Sequence, residues 1–196
     1  LTSLTNNSGT VTINGDATIG TTTVSGGTVN INTEASLGAA TISGGSTNFN
    51  STVDITTLSV TGGTTNFNGA TTLTSATFAG GTVNFATNYL TMNGFSANGN
   101  AAVNFKQAAG ATKTTYALTG AITTKASTIT IDEGVVVYGT SYGSDHQSKK
   151  TLCVNGELSL SGGIDMVYGG GSDICGSGTI NIDGSVRMHS FWSDEN

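Results

Sequence analysis

Proline is absent from this chain of 196 residues, and charged residues make up only 9% of it. Soluble domains usually carry about 25% charged residues. No stretch approaches the roughly 18 continuous apolar residues of a membrane span. No charged, apolar and small-residue segment opens the chain, so a signal peptide is expected to be absent or already removed. Six Lys plus Arg against twelve Asp plus Glu give a net charge of -6. Nucleic acid is therefore not an expected partner, because its phosphates demand basic clusters. What fills the space is 29 Gly, 36 Thr, 21 Ser and 18 Asn, which together exceed half the chain. Such a polar bias can mean disorder, but 36% of the residues are hydrophobic, and their placement decides the matter.

That placement is periodic. Gly26-Gly27, Gly44-Gly45, Gly62-Gly63 and Gly80-Gly81 mark out an 18-residue repeat, with Ser8-Gly9 in a similar phase. Large apolar residues keep the same interval in three columns. Ile13, Ile31, Phe49, Phe67 and Phe85 form the first, Ile19, Leu37, Ile55 and Leu73 the second, Val24, Ile42, Val60 and Phe78 the third. Two residues before most members sits a smaller or apolar partner, and an i, i+2 inward pair is the period of a strand. Strands this short bury a face only by stacking. An 18-residue unit folded as one turn of a three-sided coil would place equivalent strands about 4.8 Å apart in parallel. The expected fold is all-β: a parallel β-helix, or β-solenoid, with 18-residue coils. It forms one domain over 1–196, regular over 8–96 and irregular over 97–196, with loops near 139–150 and 168–178. About eight coils are expected. In the irregular part, pairs six apart continue the coil: Ile129 and Ile131 with Val135 and Val137, Leu152 and Val154 with Leu158 and Leu160, Ile180 and Ile182 with Val186 and Met188.

The remaining columns are polar. Asn14, Asn32, Asn50 and Asn68 fall at a corner, where identical amides can hydrogen-bond along the stack as a ladder. A second asparagine column faces outward with hydroxyls. Thr10 and Thr12, Thr28 and Asn30, Ser46 and Asn48, Thr64 and Asn66, and Thr82 and Asn84 form this candidate outer-face array. Thr21-x-Thr23, Thr57-x-Ser59 and Ser75-x-Thr77 make a second row, interrupted at Ala39. Cys153 and Cys175 are separated by close to one widened turn, and a disulfide between neighbouring coils is expected. It would imply an oxidising compartment.

The Ser/Thr-Gly-Gly-Thr-Val/Thr-Asn-Ile/Phe repeat resembles bacterial surface β-helices: autotransporter passenger domains, autotransporter-associated strand repeats and filamentous-haemagglutinin-like adhesins. The resemblance covers residues 8–96 well and the rest loosely, and it transfers no site residue. It implies a long, secreted, adhesive or structural protein, mostly right-handed. The 18-residue period also equals three hexapeptides, as in left-handed β-helices, but the large residues stand six, five and seven apart rather than evenly at six. Of the two hands, right-handed winding is favoured.

The function expected from these readings is non-catalytic: an extracellular or cell-surface stalk, adhesin or filament segment. Its partners would be further copies end to end or a continuation of a longer chain, with surface carbohydrate or ice as possible ligands. The flat hydroxyl rows resemble the ice-binding surface of solenoid antifreeze proteins, which makes ice binding the alternative. A carbohydrate-active enzyme would need two or three converging ionisable groups. Asp16, Glu34 and Asp54 are read as occupying different repeat phases. Asp132 and Glu133 should point to opposite sides, and Asp145-His146 falls in an expected loop. His146 and His189 share no ligand spacing with each other or the cysteines, so no metal and no cofactor is implied.

Overall fold

The alternation of apolar and polar residues becomes strands throughout. The computed structural model describes residues 1–125, 127–144, 150–168 and 172–190, and these fold as β-strands and turns with no helix. The strands stack in parallel as a β-solenoid. One face is a sheet of nine strands: Thr10–Ile13, Thr28–Ile31, Ser46–Phe49, Thr64–Phe67, Thr82–Phe85, Ala102–Phe105, Thr128–Ile131, Lys150–Val154 and Ser172–Cys175, paired in that order. Nine coils thus replace the eight expected.

The other two faces begin as single eight-residue strands, Ala17–Val24, Ala35–Ile42, Val53–Val60 and Thr71–Phe78. Each turns a corner without leaving the sheet. In Ala17–Val24, Ile19 and Thr22 point inward, and between them Gly20 and Thr21 are both exposed. Beyond Thr71–Phe78 the long strand divides: Leu90–Met92 pairs with its first part and Phe95–Ala97 with its last. The second face then runs through Thr114–Leu118, Val135–Gly139, Glu157–Leu160 and Thr179–Ile182. The third runs through Ile122–Thr124, Tyr142–Ser144, Ile164–Tyr168 and Val186–Ser190.

The 18-residue register holds while the glycine pairs last, as in Asn48 opposite Asn66. It lengthens at Thr82 opposite Ala102 and again at Ala102 opposite Thr128. One expectation changes here. The segments 139–150 and 168–178, expected as loops, contain the strands Tyr142–Ser144 and Ser172–Cys175. Asp145, His146 and Lys149 lie outside the described residues. Ile180–Ile182 and Val186–Met188 continue the coil on the second and third faces, and Ser172–Cys175 fills the first-face place.

All three apolar columns face the core, and from the second coil on their members are buried. In the first column Phe49, Phe67, Phe85 and Phe105 stack ring on ring, with centroids 4.9, 5.0 and 5.4 Å apart and planes within 17°. Those separations follow from the strand spacing, so backbone pairing and ring stacking satisfy one geometry. Thr47 and Thr65 occupy inward sites that Val29 and Val83 fill in adjacent coils, and both are fully buried. Their hydroxyls have no hydrogen-bond partner. A buried unsatisfied hydroxyl costs about 1–3 kcal/mol. Thr65→Val, nearly the same shape, is therefore expected to raise stability by about 1 kcal/mol or more, read as a higher urea midpoint. A lowered midpoint would show that the hydroxyl is satisfied.

Candidate functional site

The stack determines where each polar column lands. The corner asparagines form the expected ladder: Asn32, Asn50 and Asn68 each donate from Nδ2 to the Oδ1 one coil earlier, at 2.9, 2.8 and 2.9 Å. On the first face, Asn48, Asn66, Asn84 and Asn104 do the same along the column starting at Asn30, at 2.7–2.9 Å. The candidate outer-face array is therefore a half-buried surface from Thr28 to Asn84, and its amides are committed to one another. Thr10 and Thr12, in the first coil, are exposed. The same outward column continues through Thr130 to Cys153 and Cys175, which pair in register. Their sulfurs are bonded, with Cα atoms 4.4 Å apart. A disulfide thus takes over the column in which the asparagine ladder runs. Closing a loop of this size contributes roughly 3 kcal/mol.

The longest outward hydroxyl row lies on the third face. Thr5, Thr23, Thr41, Ser59, Thr77, Ser96 and Thr123 follow one another coil by coil in a single column. The interruption at Ala39 affects only the neighbouring row of Thr21, Thr57 and Ser75. No Lys, Arg, Asp or Glu stands in the long row until Thr123. Past it the column changes character: Gly143, Asp165 and Arg187 take the next three places. Two adjoining depressions, about 410 and 300 Å³, open on this part of the face and share Thr123 and Gly143. Lys125, Asn98 and Ser144 edge the first, Ser141, Asp165 and Arg187 the second.

Elsewhere the ionisable groups are sparse. Asp16 and Glu34 share a repeat phase, contrary to expectation. They sit at equivalent corners of adjacent coils and line one shallow depression with Thr18 and Ser36. Asp54 lies one coil further on, opposite Ser36. Among the described residues, no group of three or more His, Cys, Asp or Glu side chains comes together as a metal site. Asp132 and Glu133 do not alternate along a strand, because that strand ends at Ile131 and the pair enters a turn.

The period breaks around a buried tyrosine that sequence reading did not single out. Tyr116 is fully buried. Its hydroxyl donates to the Lys106 carbonyl at 2.7 Å, lies 3.1 Å from the Phe85 carbonyl and accepts the Thr87 N–H at 3.2 Å. Burial, aided by the Asp132 carboxylate, pushes the phenol from 10.0 up to about 12. The folded state thus holds this proton more tightly than the unfolded chain. The associated stability is full below pH 10 and is lost as pH climbs towards about 12. Denaturant midpoints are expected to fall between pH 10 and 12, and to fall less in Tyr116→Phe. An equal fall in both proteins would remove Tyr116 from this role. Tyr142, raised by burial and bonded to Thr124 at 3.0 Å, titrates in the same direction.

Comparison with protein-family models, curated proteins and solved structures found no match to this chain. No helix of the described residues is long and apolar enough to cross a membrane.

Proposed function

We propose that this chain is a non-catalytic, rigid segment of an extracellular, surface-exposed adhesin, stalk or filament. The observation that carries this reading is the columnar stack itself. Each strand repeats the one before it in register, and amide ladders and a cross-coil disulfide hold the outer edge of one face. Such a stack suits holding a surface at fixed spacing. Among the described residues the depressions are shallow and open, whereas concave, largely enclosed pockets are the usual form of a small-molecule site. The disulfide supports an oxidising compartment, and surface display is the role of the bacterial β-helices that the repeat of this chain resembles. Antibody labelling of intact cells that make the protein tests the reading. Labelling equal to that of permeabilised cells is the expected result, and labelling that requires permeabilisation would overturn it.

One observation favours a second reading, ice binding: the outward hydroxyl column from Thr5 to Thr77, uncharged and repeating at the strand spacing. Thermal hysteresis that disappears in a Thr41→Lys variant would establish it, and no hysteresis in the native protein would end it.

A further inference from the structure

Most glycines of this fold are dictated by close backbone approach or a positive φ, and among those inside the described strands one is not. Within the described strands, glycine occurs at four positions: Gly20, Gly38, Gly139 and Gly143. A Cβ at Gly20 would lie 2.7 Å from the Thr2 carbonyl oxygen, and one at Gly38 would strike the Gly20 carbonyl. Gly139 is buried, and a Cβ there would touch Leu160 at 3.4 Å. At Gly143 a Cβ would meet nothing within 4 Å, and φ is not positive. Packing and backbone geometry therefore do not demand glycine at this outward strand position. Strand glycines without such a cause often mark where a ligand approaches the backbone.

The surroundings point the same way. Gly143 interrupts the outward column between Thr123 and Asp165, and the two depressions of the third face meet over it. Together they make a shallow groove along the coil axis. It runs from Ser96 past Thr123, Gly143 and Asp165 to Arg187, four coil steps or roughly 19 Å at the strand spacing. Ser96, Thr123, Ser141 and Ser185 line it, with Lys125 near one end and Arg187 at the other. The Thr123 hydroxyl donates to the Phe95 carbonyl at 3.4 Å and keeps its lone pairs for a ligand donor. Two of the six basic residues of a chain carrying -6 thus flank one groove. A polyhydroxylated ligand matches hydroxyl and carboxylate lining, and a planar guanidinium favours a carboxylate.

We propose that this groove binds a linear acidic glycan. The sugar backbone lies over Gly143, its hydroxyls meet Thr123 and Asp165, and a uronate carboxylate meets Arg187. The proposal rests on the adhesive reading above, and names what the surface adheres to.

Binding of polygalacturonate and of neutral dextran to the purified full chain, measured by calorimetry with EDTA present, tests it. Polygalacturonate is expected to bind and dextran not to compete. Gly143→Leu fills the groove where space is open, so it should keep the native melting temperature yet weaken binding by at least about tenfold. Arg187→Gln, at an exposed position, should weaken it by about tenfold through loss of the charged hydrogen bond. Absence of polygalacturonate binding, equal binding of dextran, or undiminished binding by both variants would overturn the proposal. Cell-surface labelling is independent of these results, so the groove can fail while surface display stands.

Discussion

Phe67→Ala is expected to lower stability by about 3–5 kcal/mol, the largest loss among single core substitutions in the regular coils. Phe67 is fully buried and stacks on Phe49 and Phe85, at 4.9 and 5.0 Å between centroids. Truncation removes both stacking contacts, each worth about 0.5–1.5 kcal/mol beyond its area. It also leaves a ring-sized void that the core cannot close, because strand pairing above and below fixes the coil spacing at about 4.8 Å. Denaturant unfolding by circular dichroism reads the loss. Because each coil touches mainly its two neighbours, stability is roughly a sum of local terms. The transition is therefore expected to broaden as the two halves uncouple at the cavity. A shift below about 1 kcal/mol would mean that the ring column is not the core.

Gly63→Ala is expected to be nearly as damaging, for a reason that lies wholly in the backbone. Gly63 has φ +70, matching +67 at Gly27 and Gly45. A side chain in that region is strained by about 1–3 kcal/mol. In addition, its Cβ would lie 2.5 Å from the Gly45 oxygen and 2.6 Å from the Gly44 carbonyl carbon. Both are backbone atoms of the previous coil and cannot rotate aside. Overpacking adds a comparable cost, so a total of about 3 kcal/mol or more is expected. Gly143→Ala is the matched control. With open space and an ordinary backbone there, it should be neutral or stabilising by about 0.5 kcal/mol. Equal damage by both substitutions, measured by thermal melting, would refute the distinction between corner and groove glycines.

The regular coils were legible because their chemistry repeats. Once Gly-Gly and the Ile/Phe column are aligned on the 18-residue repeat, burial, both asparagine ladders and the three-sided coil follow from alternation alone. The cysteine pairing followed similarly, from a spacing near one widened turn and equivalent outward positions. Legibility failed where a strand offers little apolar signal. Tyr142–Ser144 carries a tyrosine, a glycine and a serine, and Ser172–Cys175 carries a single isoleucine, so both read as loop. The Asp16–Glu34 pair was not legible as a column because it has only two members: Thr52 takes the next place in the phase, and Asp54 falls two residues beyond it. The long hydroxyl column needed the register of Ser3–Asn6 with Thr21–Val24 and of Ser96 with Thr77, and neither strand belongs to a regular repeat. The groove was invisible for the same reason as its glycine, which lay in a segment expected to be a loop.

Every surface described above depends on one claim: positions one coil apart form straight outward columns from the first regular coil to the disulfide. Asn48 and Asn66 stand in the same column as Cys153 and Cys175. A strand spacing of about 4.8 Å lies inside the range that a disulfide bridges. In an Asn48→Cys, Asn66→Cys variant, peptide mapping without reductant should find a second disulfide joining the two new cysteines, alongside the native one. Two free thiols at positions 48 and 66 in a protein with unchanged circular dichroism would contradict the in-register stack.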